Sequence, residues 1–195
     1  MIRRTSRIVV AALVASALAA CSSVPIGTAS KFRGLDYLND DVASLLLAFD
    51  LPPSLEPLQN ASTISFDITT PSSGERHITA TLVAADPGDL AGTLPPPSGD
   101  RNYYLFGFSD PDRQAIREAQ AWVRTLPPGN ATLSIGLAPK LCRTEPIDPA
   151  RTTVAALVAL PGAPGLAPLL SNQPLSTVLA NAPIKDVPPC AGHSG

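Results

Sequence analysis

Ser62-Thr63-Ile64-Ser65-Phe66-Asp67-Ile68-Thr69 alternates apolar and polar residues without a break. Ile64, Phe66 and Ile68 fall on one side of an extended chain, and Thr63, Ser65, Asp67 and Thr69 on the other. Arg76 to Ala84 alternates again through Ile78, Ala80 and Leu82. The intervening Pro71-Ser72-Ser73-Gly74-Glu75 carries turn residues, so the two runs predict an antiparallel hairpin with one face against a core and one in water.

Asp86 to Asp100 is dense in proline and glycine and is expected to be a loop. In Asn102 to Phe108, Tyr104, Phe106 and Phe108 point one way and Tyr103 and Leu105 the other. Both faces are apolar, the signature of an interior strand. Ser109 then stands as a helix N-cap with Asp112 three residues on, and Pro111 sits in the first turn, where its missing N–H is harmless. The helix is expected to run to about Leu126, burying Ile116, Ala119, Val123 and Leu126 with Trp122 beside them, until Pro127-Pro128-Gly129 ends it.

Leu133, Ile135 and Leu137 alternate in a further strand, and Thr152 to Leu160 is a nearly continuous apolar run expected to be covered on both sides. The strand, helix and strand between Asn102 and Leu141 predict a right-handed parallel crossover. Upstream, Val42, Leu45, Leu46 and Phe49 recur at helical spacing after Asn39 or Asp40 as cap, which predicts a short amphipathic helix stopped by Pro52-Pro53. Seven prolines lie between Pro161 and Pro189. This stretch reads as a coil wrapping its leucines onto the domain, with room for one helix around Leu175 to Ala180. The fold class expected is α+β: a small, mostly antiparallel sheet, two helices and a proline-rich C-terminal wrap.

The start of the chain has a different character. Arg3, Arg4 and Arg7 precede an apolar run from Ile8 to Ala20 whose only polar member is Ser16. Thirteen helical residues span about 20 Å, short of a hydrocarbon core of roughly 30 Å, so this is the layout of an export signal rather than a membrane span. The run closes on Leu18-Ala19-Ala20-Cys21, which resembles the lipobox of bacterial lipoproteins. The resemblance covers the signal only. It implies cleavage before Cys21 and lipidation of that residue, and two or three acyl chains make a stable anchor where one binds marginally. An Asp after the cysteine is the common inner-membrane retention mark in that class. Ser22 stands there, which points to the outer membrane and a domain facing the periplasm. The organisation expected is a signal peptide over 1–20, a tether over 21–34, one domain over 35–190 and a loose C-terminus over 191–195.

Removing Arg3, Arg4 and Arg7 leaves 11 basic against 16 acidic residues, a poor surface for nucleic acid. Besides Cys21 the cysteines are Cys142 and Cys190, 48 residues apart. In an oxidising compartment they are expected to pair. The alternative is a metal site at Cys190 and His193, whose two candidate ligands close to the chain end make a weak set. No phosphate-binding glycine loop, zinc pair or calcium loop occurs, so no cofactor is expected. Gly107-Phe108-Ser109-Asp110-Pro111 lacks the second glycine of a nucleophile elbow. His77, on the wet face of the hairpin, and His193 suggest no catalytic role, and an enzyme is not expected.

Arg101-Asn102-Tyr103-Tyr104-Leu105-Phe106-Gly107-Phe108 holds four of the nine aromatic residues. It offers Arg101, Asn102 and Tyr103 as candidate ligand contacts. Two functions follow from this reading. One is a non-catalytic, membrane-anchored lipoprotein that acts through an envelope protein partner; the other is a binding module for a glycan, peptide or lipid.

Overall fold

The computed structural model describes residues 36–191 apart from 38, 72, 87, 89–93, 98, 128–130, 162–164 and 181–185. The predicted signal peptide, Cys21, the tether and His193 lie outside the described residues. The hairpin forms as expected: β3 (Thr63–Thr70) and β4 (Gly74–Ala84) pair antiparallel from Thr63↔Thr81 to Thr70↔Gly74. Gly74 closes the turn at φ 87°, a left-handed conformation that glycine adopts without a Cβ clash.

This hairpin is part of a seven-stranded, wholly antiparallel sheet. Its other strands are β1 (Leu46–Leu51), β5 (Asn102–Phe108), β6 (Thr132–Ala138), β8 (Thr153–Ala159) and β9 (Ala167–Pro174), in the order β6-β3-β4-β5-β1-β8-β9. The short β2 (Leu55–Pro57) and β7 (Leu141–Arg143) make a separate two-stranded ribbon. Three residues each is too brief for any periodicity, which is why the sequence does not announce them.

One face of the sheet carries the core. Ile64, Phe66, Ile68, Ala80, Leu82, Phe106, Phe108, Leu47, Phe49, Leu51, Val154, Ala156 and Val158 are all buried. Phe66 meets Phe108 edge to face at 6.1 Å, and Phe49 meets Phe106 at 5.0 Å.

The expected helix over Val42–Phe49 is replaced by a single 3-10 turn (Val42–Ser44) followed by β1. β1 lies between β5 and β8 and is buried along five of its six residues. A strand covered on both faces loses its period of two, and its apolar residues then also fall at helical spacing. Pairing on both edges outweighs the helical preference of Leu45-Leu46-Leu47-Ala48.

The parallel crossover is likewise overturned. α1 (Asp110–Arg124) carries the chain from β5 past β4 and β3 to the far edge, where β6 pairs antiparallel with β3. Three strand spacings are about 14 Å, and a helix of this length, about 22 Å, covers that distance easily. The C-terminal coil is corrected in part. Ala167–Pro174 is an edge strand against β8, broken by two register shifts, and α2 (Leu175–Ala180) sits where a short helix was expected. Proline is tolerated there because an edge strand leaves half its N–H groups without a ladder partner.

α1 begins as predicted. Ser109 Oγ accepts from the Asp112 N–H at 3.3 Å and donates to Asp112 Oδ2 at 2.8 Å. That same carboxylate oxygen accepts the Thr81 N–H at 3.1 Å, fastening the helix start to β4. Ser109→Ala is therefore expected to destabilise the domain by about 1–2 kcal/mol, at the upper part of the N-cap range, as read by urea denaturation. A change below about 0.3 kcal/mol would show that Asp112 keeps the helix start in place alone.

The inner side of α1 buries Ile116, Ala119 and Val123, and also Gln120. The Gln120 amide donates to the backbone carbonyls of Tyr37 and Asp40, the latter at 2.9 Å, so the entering chain is hydrogen-bonded to the helix. Arg117 grips Asp41 in two bonds of 3.2 and 3.0 Å and holds its carboxyl below the usual range. Burial pushes the Tyr37 phenol up to about 12.

Candidate functional site

β5 and Arg101 immediately before it present the three residues singled out as ligand contacts, and the structure divides them. Arg101 turns inward. Its Nε donates to Asp50 Oδ1 at 2.6 Å, and its Nη1 to the carbonyl and Oγ1 of Thr153 at 3.1 and 3.3 Å. Its Nη2 donates to the Asp50 carbonyl. The two charged side chains are only 11% and 12% exposed. From the start of β5 the guanidinium thus joins β1 and β8, holding three neighbouring strands together. Arginine suits this place because its planar fork satisfies a carboxylate and two backbone carbonyls at once.

Tyr103 stands opposite Asp50 on the same face and is half-buried. Burial first, and then the Asp50 charge, raise its phenol above the ordinary value, with Arg101 opposing. Asn102 points to the other face. It is exposed and hydrogen-bonds the Tyr104 hydroxyl; burial and Glu56 raise that phenol while the bond to Asn102 lowers it. Arg101 and Tyr103 meet around Asp50, whereas Asn102 does not join them, as the alternation of a strand requires.

A second constellation lies on the polar face of the hairpin. Thr79 Oγ1 lies 2.8 Å from His77 Nε2, and Asp67 Oδ1 hydrogen-bonds His77 Nδ1. Carboxylate, imidazole and hydroxyl in this order resemble the arrangement that activates a hydroxyl nucleophile. Its surroundings differ from such a site. His77 is 63% and Asp67 40% exposed on the polar face of the hairpin, where water screens the charges that a reaction would develop. The signal for this cluster is the hairpin register: Asp67 lies directly across from His77, and Thr79 is two residues along the same face. Spacing in the sequence alone does not specify that register.

Cys142 and Cys190 lie at disulfide bonding distance, Sγ–Sγ 2.08 Å. Around them Arg143 N–H donates to the Pro188 carbonyl at 2.9 Å, Cys190 N–H to the Arg143 carbonyl at 2.9 Å, and Arg143 Nε to the Val187 carbonyl at 3.0 Å. Glu56, which faces Cys142 across the ribbon, is the third potential ligand within 4.8 Å. Sulfurs bonded to each other provide no thiolate for a metal.

Two clefts flank α1. One of about 540 Å³ is lined by Asp110, Arg113, Gln114, Arg117, Glu118 and Ala121, and one of about 290 Å³ by Asn39, Asp40, Asp41, Arg117, Gln120 and Arg124. Both are charged and aromatic-free, unlike the apolar pockets that hold small organic ligands. Among the described residues, no helix is long and apolar enough to cross a membrane. Compared with protein families, with curated proteins and with solved structures, the chain matches none.

Proposed function

We propose that this protein is a lipoprotein of the cell envelope, anchored in the outer membrane through Cys21 and facing the periplasm. Its domain acts through protein contacts rather than catalysis. The export half of the reading rests on Leu18-Ala19-Ala20-Cys21 behind an arginine-flanked apolar run, and the bonded Cys142 and Cys190 suit an oxidising compartment. What carries the other half is the direction of Arg101: the strongest polar group of the aromatic strand is committed to Asp50 and Thr153 and is withdrawn from any ligand. The proline-rich stretch after Leu160 serves in this reading as a wrap fastened at Cys190.

The test is crosslinking in intact cells with mass spectrometry of the captured material, comparing the native protein with Cys21→Ala, alongside labelling with an alkyne fatty acid. The native chain is expected to take the label and to capture a specific protein, and Cys21→Ala to lose both. An unlabelled native chain would overturn the anchor. A saccharide or lipid retained on the purified domain, with no protein captured, would transfer the assignment to a binding module and make Tyr103 the first residue to mutate.

A further inference from the structure

The sheet has two edges of different character. On β9, Pro168 and Pro174 remove donors, and register shifts at Val154/Ala156 and Ala156/Leu157 break the line of the strand. These are the devices by which natural sheets block unwanted pairing. β6 has none of them. Thr132–Ala138 contains no charge and no proline, and its register with β3 is unbroken from Thr69↔Thr132 to Thr63↔Ala138.

The direction of its backbone groups follows from one bond. Leu82 N–H donates to the Ser62 carbonyl at 2.8 Å, so the even-numbered residues of β3 are those hydrogen-bonded to β4. The odd-numbered residues Thr63, Ser65, Asp67 and Thr69 therefore bond to β6, through Ala138, Gly136, Ser134 and Thr132. Leu133, Ile135 and Leu137 are left with their N–H and C=O groups directed away from the sheet, and no strand among the described residues takes them. The same three residues carry the apolar side chains, of which Leu133 and Ile135 are only half-buried.

The pattern is symmetrical about Ile135: leucine two residues to either side, small residues between. We propose that β6 pairs antiparallel with β6 of a second copy of this chain, with Ile135 opposite its counterpart and Leu133 opposite Leu137. In this register all three outward-facing residues of each chain are hydrogen-bonded positions, which gives six inter-chain bonds. The apolar side chains align on the core face, extending both cores across the junction, and Ser134 meets Gly136 on the other face without crowding. The self-matching order of side chains and backbone groups is what selects a second copy over an unrelated strand. Seven residues per chain bury far less than the roughly 800 Å² per partner of a stable complex, so dissociation constants on the order of micromolar or weaker are expected.

Sedimentation equilibrium of the full-length chain in detergent tests this, with Ile135→Pro and Ser134→Lys beside it. The Ile135 N–H takes no part in the bonds to β3, so proline there removes an inter-chain donor and spares the ladder. Ser134→Lys leaves the core face untouched and brings two like charges together near the two-fold axis. The native chain is expected to show a monomer–dimer equilibrium weakened at least tenfold by each variant, with Ser134→Lys retaining the native melting curve. Ile135→Cys is expected to form a disulfide-linked dimer, and Ser171→Cys on the guarded edge is not. A native chain that stays monomeric, or a dimer that both variants leave intact, overturns the proposal. A monomer with slowly exchanging Ile135 amide would do so as well, by showing that the edge is covered from within the same chain.

Discussion

Arg101→Ala is expected to lower folding stability by about 3–5 kcal/mol, because it leaves Asp50 buried without its counter-ion and takes the guanidinium donor from the Thr153 carbonyl. Asp50 sits within β1, which is paired on both sides, so the strand has little freedom to turn the carboxylate toward water. The double variant Arg101→Ala/Asp50→Ala is expected to be more stable than Arg101→Ala alone, since it removes the stranded charge together with its partner. Urea denaturation of the native chain, both single variants and the double variant checks this. A loss below about 1 kcal/mol for Arg101→Ala would mean that the guanidinium is solvent-bathed in solution, which would restore it as a candidate ligand contact.

Removing the Cys142–Cys190 link, by Cys142→Ser/Cys190→Ser, is expected to cost about 4 kcal/mol, since a loop of 48 residues regains its freedom in the unfolded chain. For a chain of this size the melting temperature should fall by roughly 8–16 °C. The loss is also expected to be uneven. Val187 is 3% exposed, yet the segment around it is held by Arg143 and the disulfide rather than by a full strand ladder. Hydrogen exchange of the serine variant should therefore lose protection at Val187 and Cys190 before the β3–β4 hairpin loosens. An unchanged melting temperature with protection kept at Val187 would show that the hydrogen bonds of Arg143 hold the tail unaided.

Much of the architecture was legible wherever a segment has one wet face. The β3–β4 hairpin, β6 and α1 with its Ser109 cap each carry a clean period and a local stop signal, and all are present. Legibility failed where burial on both faces erased the period. β1 reads equally well as one turn of amphipathic helix, and only its two neighbours decide otherwise. Prolines misled in β9, because a compositional rule against central strands says nothing of edges. At the candidate site the chemical types were visible but not their directions. Arg101 reads as a candidate ligand contact beside an aromatic strand, and nothing local tells that its partners are Asp50 and Thr153, which lie 51 and 52 residues away.

By itself, then, the sequence determined the antiparallel α+β character and the pairing of Cys142 with Cys190. Each of these rests on local patterning or on a choice among very few partners. The tertiary structure alone decided the strand order, the inward turn of Arg101, the alignment of Asp67 with His77 and Thr79, and the unguarded edge at β6. These depend on which distant segments become neighbours, and that is settled by burying apolar faces against one another, an energy spread over the whole chain and written at no single position.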